Sequence, residues 1–250
     1  MEWNVVYYEE IDSTNTQAKR MAKEGAEQGL VVTADEQSAG KGRRGRVWES
    51  PAGTNLYFSI LLRPELEPDK APMLTLVMAY SVAVVLRTQE GLPVEIKWPN
   101  DLVLEKKKIC GILTEMELSG SQIADVVIGV GINVNTTEFP EELRDKATSL
   151  YLQKGEQVER EKLLQQILEK FRRQYERFLE IQDLSFLQNE YNQMLINKDR
   201  EVLVLEPGHE YQAQALGINE KGELLVKKSD GSTEAVFAGE VSVRGIYGYI

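Results

Sequence analysis

The sequence predicts an α+β protein: a mixed β-sheet domain packed with helices over residues 1–198, then a small all-β module over residues 199–250. Three observations carry this reading. Aromatic and β-branched runs recur up to residue 135, separated by helical stretches, and from Glu161 to Asn197 apolar residues repeat with the helical period. Beyond Asn197 short alternating runs are punctuated by turn sequences about every ten residues. A chain of 250 residues with 42% apolar content buries on the order of 70% of the surface it exposes when unfolded, so a sizeable core is expected.

Trp3 to Tyr8 reads as the first strand. Asp12-Ser13-Thr14-Asn15 supplies capping side chains ahead of a helix through Ala22, with Gly25 as its stop. Leu30 to Ala34 and Leu56 to Leu62 are the next strands, separated by a glycine-rich basic loop. Pro72 to Thr88 is a helix too apolar for a surface position, and Val94 to Lys97 begins a strand that breaks at Pro99. Three strands follow from Leu102 to Val134. The first two flank the polar hairpin Glu105-Lys106-Lys107-Lys108, and Ile123 to Asn135 is the third. Helices are expected at Glu161–Ile181 and Leu184–Asn197. In the C-terminal module, turns at Asn219-Glu220-Lys221-Gly222 and Ser229-Asp230-Gly231-Ser232 separate the strands of a small barrel or sandwich. No low-complexity linker precedes it, which predicts a tight junction near residue 198.

Composition removes several chemistries. A net charge of −11, from 29 basic and 40 acidic residues, opposes non-specific nucleic-acid binding, which draws its affinity from phosphate neutralisation. The single cysteine, Cys110, rules out a disulfide framework and a thiolate zinc cluster; on an apolar strand it reads as a small buried hydrophobe. The single histidine, His209, rules out a His–His metal pair. Its turn-like setting in Pro207-Gly208-His209 argues against a Ser–His–Asp triad. The first residues show no signal peptide and no apolar run is long enough to span a bilayer, so a cytoplasmic protein is expected.

Gly40-Lys41-Gly42-Arg43-Arg44-Gly45-Arg46 contains the spacing G-x-G-x-x-G, yet its context excludes a dinucleotide fold. That fingerprint opens a helix whose N-terminus faces a pyrophosphate. Here Val47-Trp48-Glu49-Ser50-Pro51 follows, and the cations have the wrong sign for a helix start. The window Gln37–Trp48 holds one lysine and three arginines in an otherwise acidic chain, a composition suited to embracing a polyanion. Trp48 offers a face for an aromatic base. The competing reading is a solvated charge run.

Lys97-Trp98-Pro99-Asn100-Asp101 and Lys108-Ile109-Cys110-Gly111-Ile112-Leu113 form a second constellation. Asn100 and Asp101 either close a turn or face a ligand; Lys108 is either a surface hairpin lysine or a point charge for a carboxylate. In Gly129-Val130-Gly131-Ile132-Asn133 the glycines alternate along one strand face. Such a face admits a flat ligand or a tightly packed helix.

These segments, in this order, resemble the catalytic region of the biotin protein ligase family. The match runs from about residue 8 to residue 135 through Ser13-Thr14-Asn15, Gln37 to Trp48, Ser50-Pro51, Asn55-Leu56, Lys97 to Asp101, Lys108 to Leu113 and Gly129 to Asn133. Gly239-Glu240-Val241 is similar to the family's small, SH3-like C-terminal barrel. The resemblance implies an enzyme that makes biotinyl-5′-AMP from biotin and ATP with Mg²⁺, then biotinylates a lysine of a biotin carboxyl carrier protein. It implies that Ser13, Thr14, Asn15 and Gln37 line the biotin head-group pocket, with Gly111, Gly129 and Gly131 beneath it. Gly40, Lys41, Gly42 and Arg43 would close over biotin and the activated phosphate. Arg43, Arg44, Arg46, Trp48, Asn100 and Asn133 would serve ATP or the adenylate, and Asp101 the Mg²⁺ region. Arg43 and Lys108 would be the catalytic cations. Lys41 stands where the family more often has arginine, which removes a forked donor. The first motif begins at Ser13, so no DNA-binding helix-turn-helix and no operator binding are expected. A homodimer paired through sheet edges is compatible with the resemblance. A lipoate ligase would carry an Arg-Arg-x-Ser-Gly-Gly-Gly segment that this chain lacks; a non-catalytic biotinyl-adenylate binder is the other alternative.

Overall fold

The structure, a computed structural model, describes residues 1–206, 209–237 and 242–245. Seven strands form one sheet: β1 (Asn4–Ile11), β2 (Leu30–Gln37), β3 (Leu56–Leu62), β4 (Glu95–Lys97), β5 (Asp101–Leu104), β6 (Lys107–Ser119) and β7 (Gln122–Ile132). Their spatial order is β1-β2-β3-β7-β6-β5-β4. β1 and β2 run parallel and the other neighbours antiparallel, the mixed sheet the sequence predicts.

Strand alternation divides the sheet into two unlike faces. Leu56, Phe58, Ile60 and Leu62 of β3, with Val126, Ile128, Val130 and Ile132 of β7, enter the main core. There they meet α2 (Met73–Gln89), itself buried nearly all round because α4 (Arg160–Ile181) packs on its outer side. α4 contributes Leu163, Leu164, Ile167, Leu168, Phe171, Tyr175 and Phe178, the single apolar stripe its periodicity predicts. The helical stretch Pro68–Gln89 is long and apolar enough to cross a membrane, but 78% of its most apolar window is buried inside the protein. On the opposite face α1 (Thr14–Lys23) packs Ala18 and Ala22 against Leu30, Val32, Leu61 and Val127. It leaves the neighbouring glycine-rich stretch of β6 and β7 as the floor of a cleft.

Several expectations need correction. The polar hairpin shrinks to Glu105–Lys106, both left-handed (φ 49° and 64°), the geometry of a tight two-residue turn; Lys107 and Lys108 belong to β6. α5 covers only Gln188–Met194 rather than Leu184–Asn197. Leu195 instead pairs with Ile96 in a parallel bridge, a tertiary contact that overrides helical propensity. A short helix, α3 (Leu150–Lys154), was not anticipated; the Ser149 hydroxyl caps it by accepting from Leu152 N–H at 3.1 Å.

The C-terminal module is an antiparallel sheet of β8 (Glu201–Glu206), β9 (His209–Ile218), β10 (Leu224–Lys227), β11 (Thr233–Val236) and β12 (Ser242–Gly245). Its order is β11-β10-β9-β8-β12, all-β as expected. His209 opens β9 rather than sitting in a turn, while Pro207, Gly208 and the Gly239-Glu240-Val241 motif lie outside the described residues. The two sheets are joined closely: Trp98 Nε1–H donates to the Gly222 carbonyl at 3.0 Å and Trp98 N–H to Asn197 Oδ1 at 2.9 Å.

Candidate functional site

The floor of the cleft follows from register. β6 and β7 pair Gly111 with Gly131 and Leu113 with Gly129, so three glycines converge on the face that α1 leaves open. A Cβ at Gly129 would overlap Asn15 Oδ1, and one at Gly131 would lie 2.5 Å from Trp48 Nε1. Only glycine lets these side chains approach the backbone so closely.

Strand alternation alone would turn Lys108 away from this floor, because it is an odd number of residues from Gly111. A bulge corrects the direction. β5 pairs Leu102 with Cys110 and Val103 with Lys108, so Ile109 is the extra residue. Ile109 and Cys110 both enter the core, and Lys108 returns to the Gly111 face with its Nζ 3.1 Å from where a Cβ on that glycine would stand. Cys110 is fully buried, and burial pushes its thiol pKa far above the ordinary value. It is the inert hydrophobe the sequence predicts.

The cleft is open to solvent, and with its mouth included it spans about 450 Å³. Ser13, Thr14, Asn15, Gln37, Lys41, Gly42, Arg43, Trp48, Asn100, Lys108, Gly111, Gly129 and Gly131 all line it. One end is neutral and lined by hydrogen-bonding side chains. Gln37 Oε1 accepts from Thr14 N–H at 2.9 Å, and Gln37 Nε2 donates to Ser50 Oγ at 2.8 Å. Ser59 Oγ lies 2.6 Å from Asn15 Oδ1. The other end is cationic. Arg43 Nη1 donates to Asn100 Oδ1 at 3.0 Å, Asn100 Nδ2 to Asp101 Oδ1 at 3.1 Å, and Lys108 Nζ pairs with that same Asp101 oxygen at 2.6 Å. Arg43 and Lys108, 65 positions apart in a chain numbered continuously, are thus tied together across one cleft. Burial, and repulsion by Arg44, lower the Arg43 pKa, while Asp101 pulls the other way.

The basic loop is less open than its glycines imply. Bridges join Gln37 to Ser50 and Lys41 to Val47, Gly42 N–H donates to the Arg46 carbonyl at 2.7 Å, and Arg44 is left-handed (φ 56°). Gly40 is buried at the loop base, where a Cβ would collide with the Trp48 carbonyl. Trp48 lies over Gly111 and Gly131 with Lys108 Nζ 5.1 Å from a ring centroid. Arg44 lines a neighbouring cavity of about 1040 Å³ that also touches Arg43, Asn100, Pro72 and Thr75. Arg46 is exposed, and Asn133 is buried with its Nδ2 donating to the Thr148 carbonyl at 3.1 Å; neither lines the first cleft. Asp101, expected near Mg²⁺, is the ion-pair partner of Lys108, and among the described residues no three His, Cys, Asp or Glu side chains gather into a metal site.

Sequence reasoning missed Ser59, Lys19 and Glu115, and it named Ser50 only as part of a motif, without a role. Ser59 carried a signal, being the one serine in the apolar and aromatic run Leu56–Leu62; Glu115 carried none, since its partner Asn15 is 100 residues away.

Comparison with known proteins decides the family. Residues 7–133 match the model of the biotin/lipoate A/B protein ligase family, and residues 199–244 that of the biotin protein ligase C-terminal domain. The chain belongs to the biotin protein ligases. It is 36% identical over 232 residues to the bifunctional ligase/repressor BirA of Bacillus subtilis, covering 91% of this chain and 70% of that one. A biotin–[acetyl-CoA-carboxylase] ligase of Paracoccus denitrificans is 40% identical over 125 residues, 49% of this chain and 51% of that one. The biotin protein ligase of Aquifex aeolicus in complex with biotin and ATP superposes with a TM-score of 0.84 at 32% identity, covering 97% of this chain and 99% of that one. As a member of this family the chain is a ligase.

Proposed function

We propose that this biotin protein ligase joins biotin to ATP as biotinyl-5′-AMP, releases pyrophosphate, and transfers the biotinyl group to a lysine of a biotin carboxyl carrier protein. One observation carries the proposal: Arg43 and Lys108 converge at one end of a cleft whose other end is neutral and hydrogen-bonding.

In the first step a biotin carboxylate oxygen attacks the α-phosphorus of ATP. A new C–O–P linkage forms, the bond to the β-phosphate oxygen breaks, and pyrophosphate leaves. The obstacle is that both reactants are anions. Two unit charges ~4 Å apart repel by about 4 kcal/mol at an effective dielectric near 20. Lys108, on the Gly111 floor, offsets the charge of the carboxylate. Arg43, held by Asn100, meets the phosphate oxygens, where negative charge grows on the way to the transition state. In the second step the amine of the carrier lysine attacks the acyl carbon, AMP leaves, and the amine loses a proton. No nucleophile from this chain enters either step. Mg²⁺ would be held by the ATP phosphates rather than by a carboxylate cluster of the described residues and would supply charge shielding there; Ser13, Thr14, Asn15 and Gln37 hold the biotin head group.

Biotin-dependent ATP–pyrophosphate exchange, together with mass spectrometry of a carrier domain after incubation with biotin and ATP, tests the reading. A biotinyl mass increment on one lysine is expected, with lipoate inactive. Tight biotinyl-adenylate retention without exchange or transfer would refute it.

A further inference from the structure

Asn15 sits against the cleft floor with its amide ends in unlike surroundings. Its Nδ2 donates to Glu115 Oε2 at 2.9 Å and, more loosely, to the Leu113 carbonyl at 3.3 Å. Its Oδ1 lies 2.6 Å from Ser59 Oγ and overlies Gly129, where a Cβ would overlap it. Ser59 is fully buried, and its single proton has two acceptors in reach, Asn15 Oδ1 and Thr14 Oγ1 at 2.8 Å. Thr14 Oγ1 has a proton of its own to give back to Ser59, whereas a carbonyl oxygen can only accept; with Nδ2 turned to Glu115, Asn15 Oδ1 therefore takes the Ser59 proton. Glu115 is itself held by Lys19, whose Nζ lies 2.5 Å from Oε1. Were the Asn15 amide turned over, its oxygen would face a carboxylate oxygen and a backbone carbonyl at once, with no proton between any of them.

We propose that Glu115 is a positioning residue that locks the Asn15 amide so that its carbonyl oxygen, and never its NH₂, faces the ligand. A carbonyl oxygen has two lone pairs and Ser59 satisfies one. The other is available to an N–H donor in the cleft. Resting on the biotin reading above, the donor is a urea N–H of the biotin ring system. Without Glu115, the Leu113 carbonyl at 3.3 Å is the remaining acceptor that distinguishes the two orientations. The amide then presents donor or acceptor, and a fraction of molecules meet the ligand N–H with an N–H of their own.

The next ion pair along the same seam between α1 and β6, Lys23 to Glu117 at 3.7 Å, provides the control. It ties helix to strand without touching Asn15. Glu115→Ala is expected to raise the biotin Kd and KM at least tenfold while the KM for ATP stays within twofold. Glu115→Gln keeps an acceptor for Nδ2 and is expected within threefold of the parent. Glu117→Ala should leave both constants unchanged. A second readout needs no biotin: in the ligand-free protein the Asn15 side-chain NH₂ protons should exchange slowly, and in Glu115→Ala at least tenfold faster. Unchanged amide exchange in Glu115→Ala, a matching rise in both KM values, or a Glu115→Gln variant as poor as Glu115→Ala would each overturn the assignment. Failure of the parent protein to bind biotin would instead count against the function proposed above, and the exchange measurement would still decide the role of Glu115.

Discussion

Replacing Lys108 by alanine tests the charge argument most directly, because the structure fixes what its removal leaves behind. Lys108 Nζ lies 2.6 Å from Asp101 Oδ1, and the Asp101 side chain is only 15% exposed. The variant therefore loses the cation that the proposed function sets against the reacting anions, and it also uncovers a carboxylate at the same end of the cleft. The Coulomb energy of one charge pair ~4 Å apart is about 4 kcal/mol at an effective dielectric near 20. Each 1.36 kcal/mol in a barrier is a tenfold change in rate, so biotin-dependent ATP–pyrophosphate exchange should fall by between ten- and about a thousand-fold. The double variant Lys108→Ala/Asp101→Asn removes the uncovered charge as well. It should recover part of that loss, which is a non-additivity expected only of groups in direct contact. Thermal unfolding of both variants, followed alongside, checks that the fold is kept. Exchange rates in Lys108→Ala equal to those of the parent would refute the reasoning, and so would a double variant slower than the single one.

Three further outcomes follow from the same geometry. Gly129→Ala should abolish measurable biotin binding with little change in far-UV circular dichroism, since its Cβ meets the Asn15 side chain rather than backbone; Gly111→Ala, 2.8 Å from Trp48 Cζ3, should be milder. Burial tends to raise the Glu115 pKa, but hydrogen bonds from Lys19 and Asn15 outweigh it and hold the group below the ordinary carboxylate value. Its ionised form therefore adds stability that is complete above its unfolded pKa of about 4.3 and is lost as pH falls through the lower folded value. Urea unfolding of the parent and Glu115→Gln should show the gap closing below that window; a gap that persists in acid would contradict this. Burial keeps the Cys110 thiol protonated, so it should resist alkylation at pH 8 in the native protein and react once unfolded.

The catalytic domain was readable where one local pattern settles the structure. Leu56–Leu62 has the same bounds in sequence and structure because its polar neighbours leave the run no alternative. The all-round apolarity of Met73–Gln89 likewise requires a helix covered on both sides. α5 was not readable, because Leu195 leaves the helix for a partner, Ile96, that lies 99 residues earlier. The cleft was legible as a set of motifs but not as geometry. That Lys108 faces Gly111 depends on the bulge at Ile109, and no residue there is a glycine or other bulge marker. Strand position gives Asn133 a donor and an acceptor at the end of β7, and the resemblance implies a nucleotide role for it; what the sequence does not show is that its Nδ2 is engaged by the Thr148 carbonyl. Thr148 lies in a loop whose course the sequence does not specify.

The two ends of the cleft differ in what they can do for the reaction. Under the proposed function, the end with Thr14, Asn15 and Gln37 would hydrogen-bond the urea ring, a part of the substrate whose charge does not change. Such contacts are equally strong before and during the chemical step, so they set affinity and leave the barrier alone. At the Arg43 and Lys108 end the proposed step would move charge from a carboxylate onto phosphate oxygens, and contacts there would strengthen as it proceeds. Substitutions behind Asn15 should therefore appear in the KM for biotin, and those at Lys108 in kcat. The glycine floor makes this division possible. It lies between the two ends, with Gly129 against Asn15 and Gly111 against Lys108, so a ligand on the floor can reach both. A variant that shifted kcat from the Asn15 end alone would mean that the ends are mechanically coupled, for which the hydrogen-bonded chain from Thr14 N–H through Gln37 and Ser50 to the Trp48 carbonyl is a route from the neutral pocket to the basic loop.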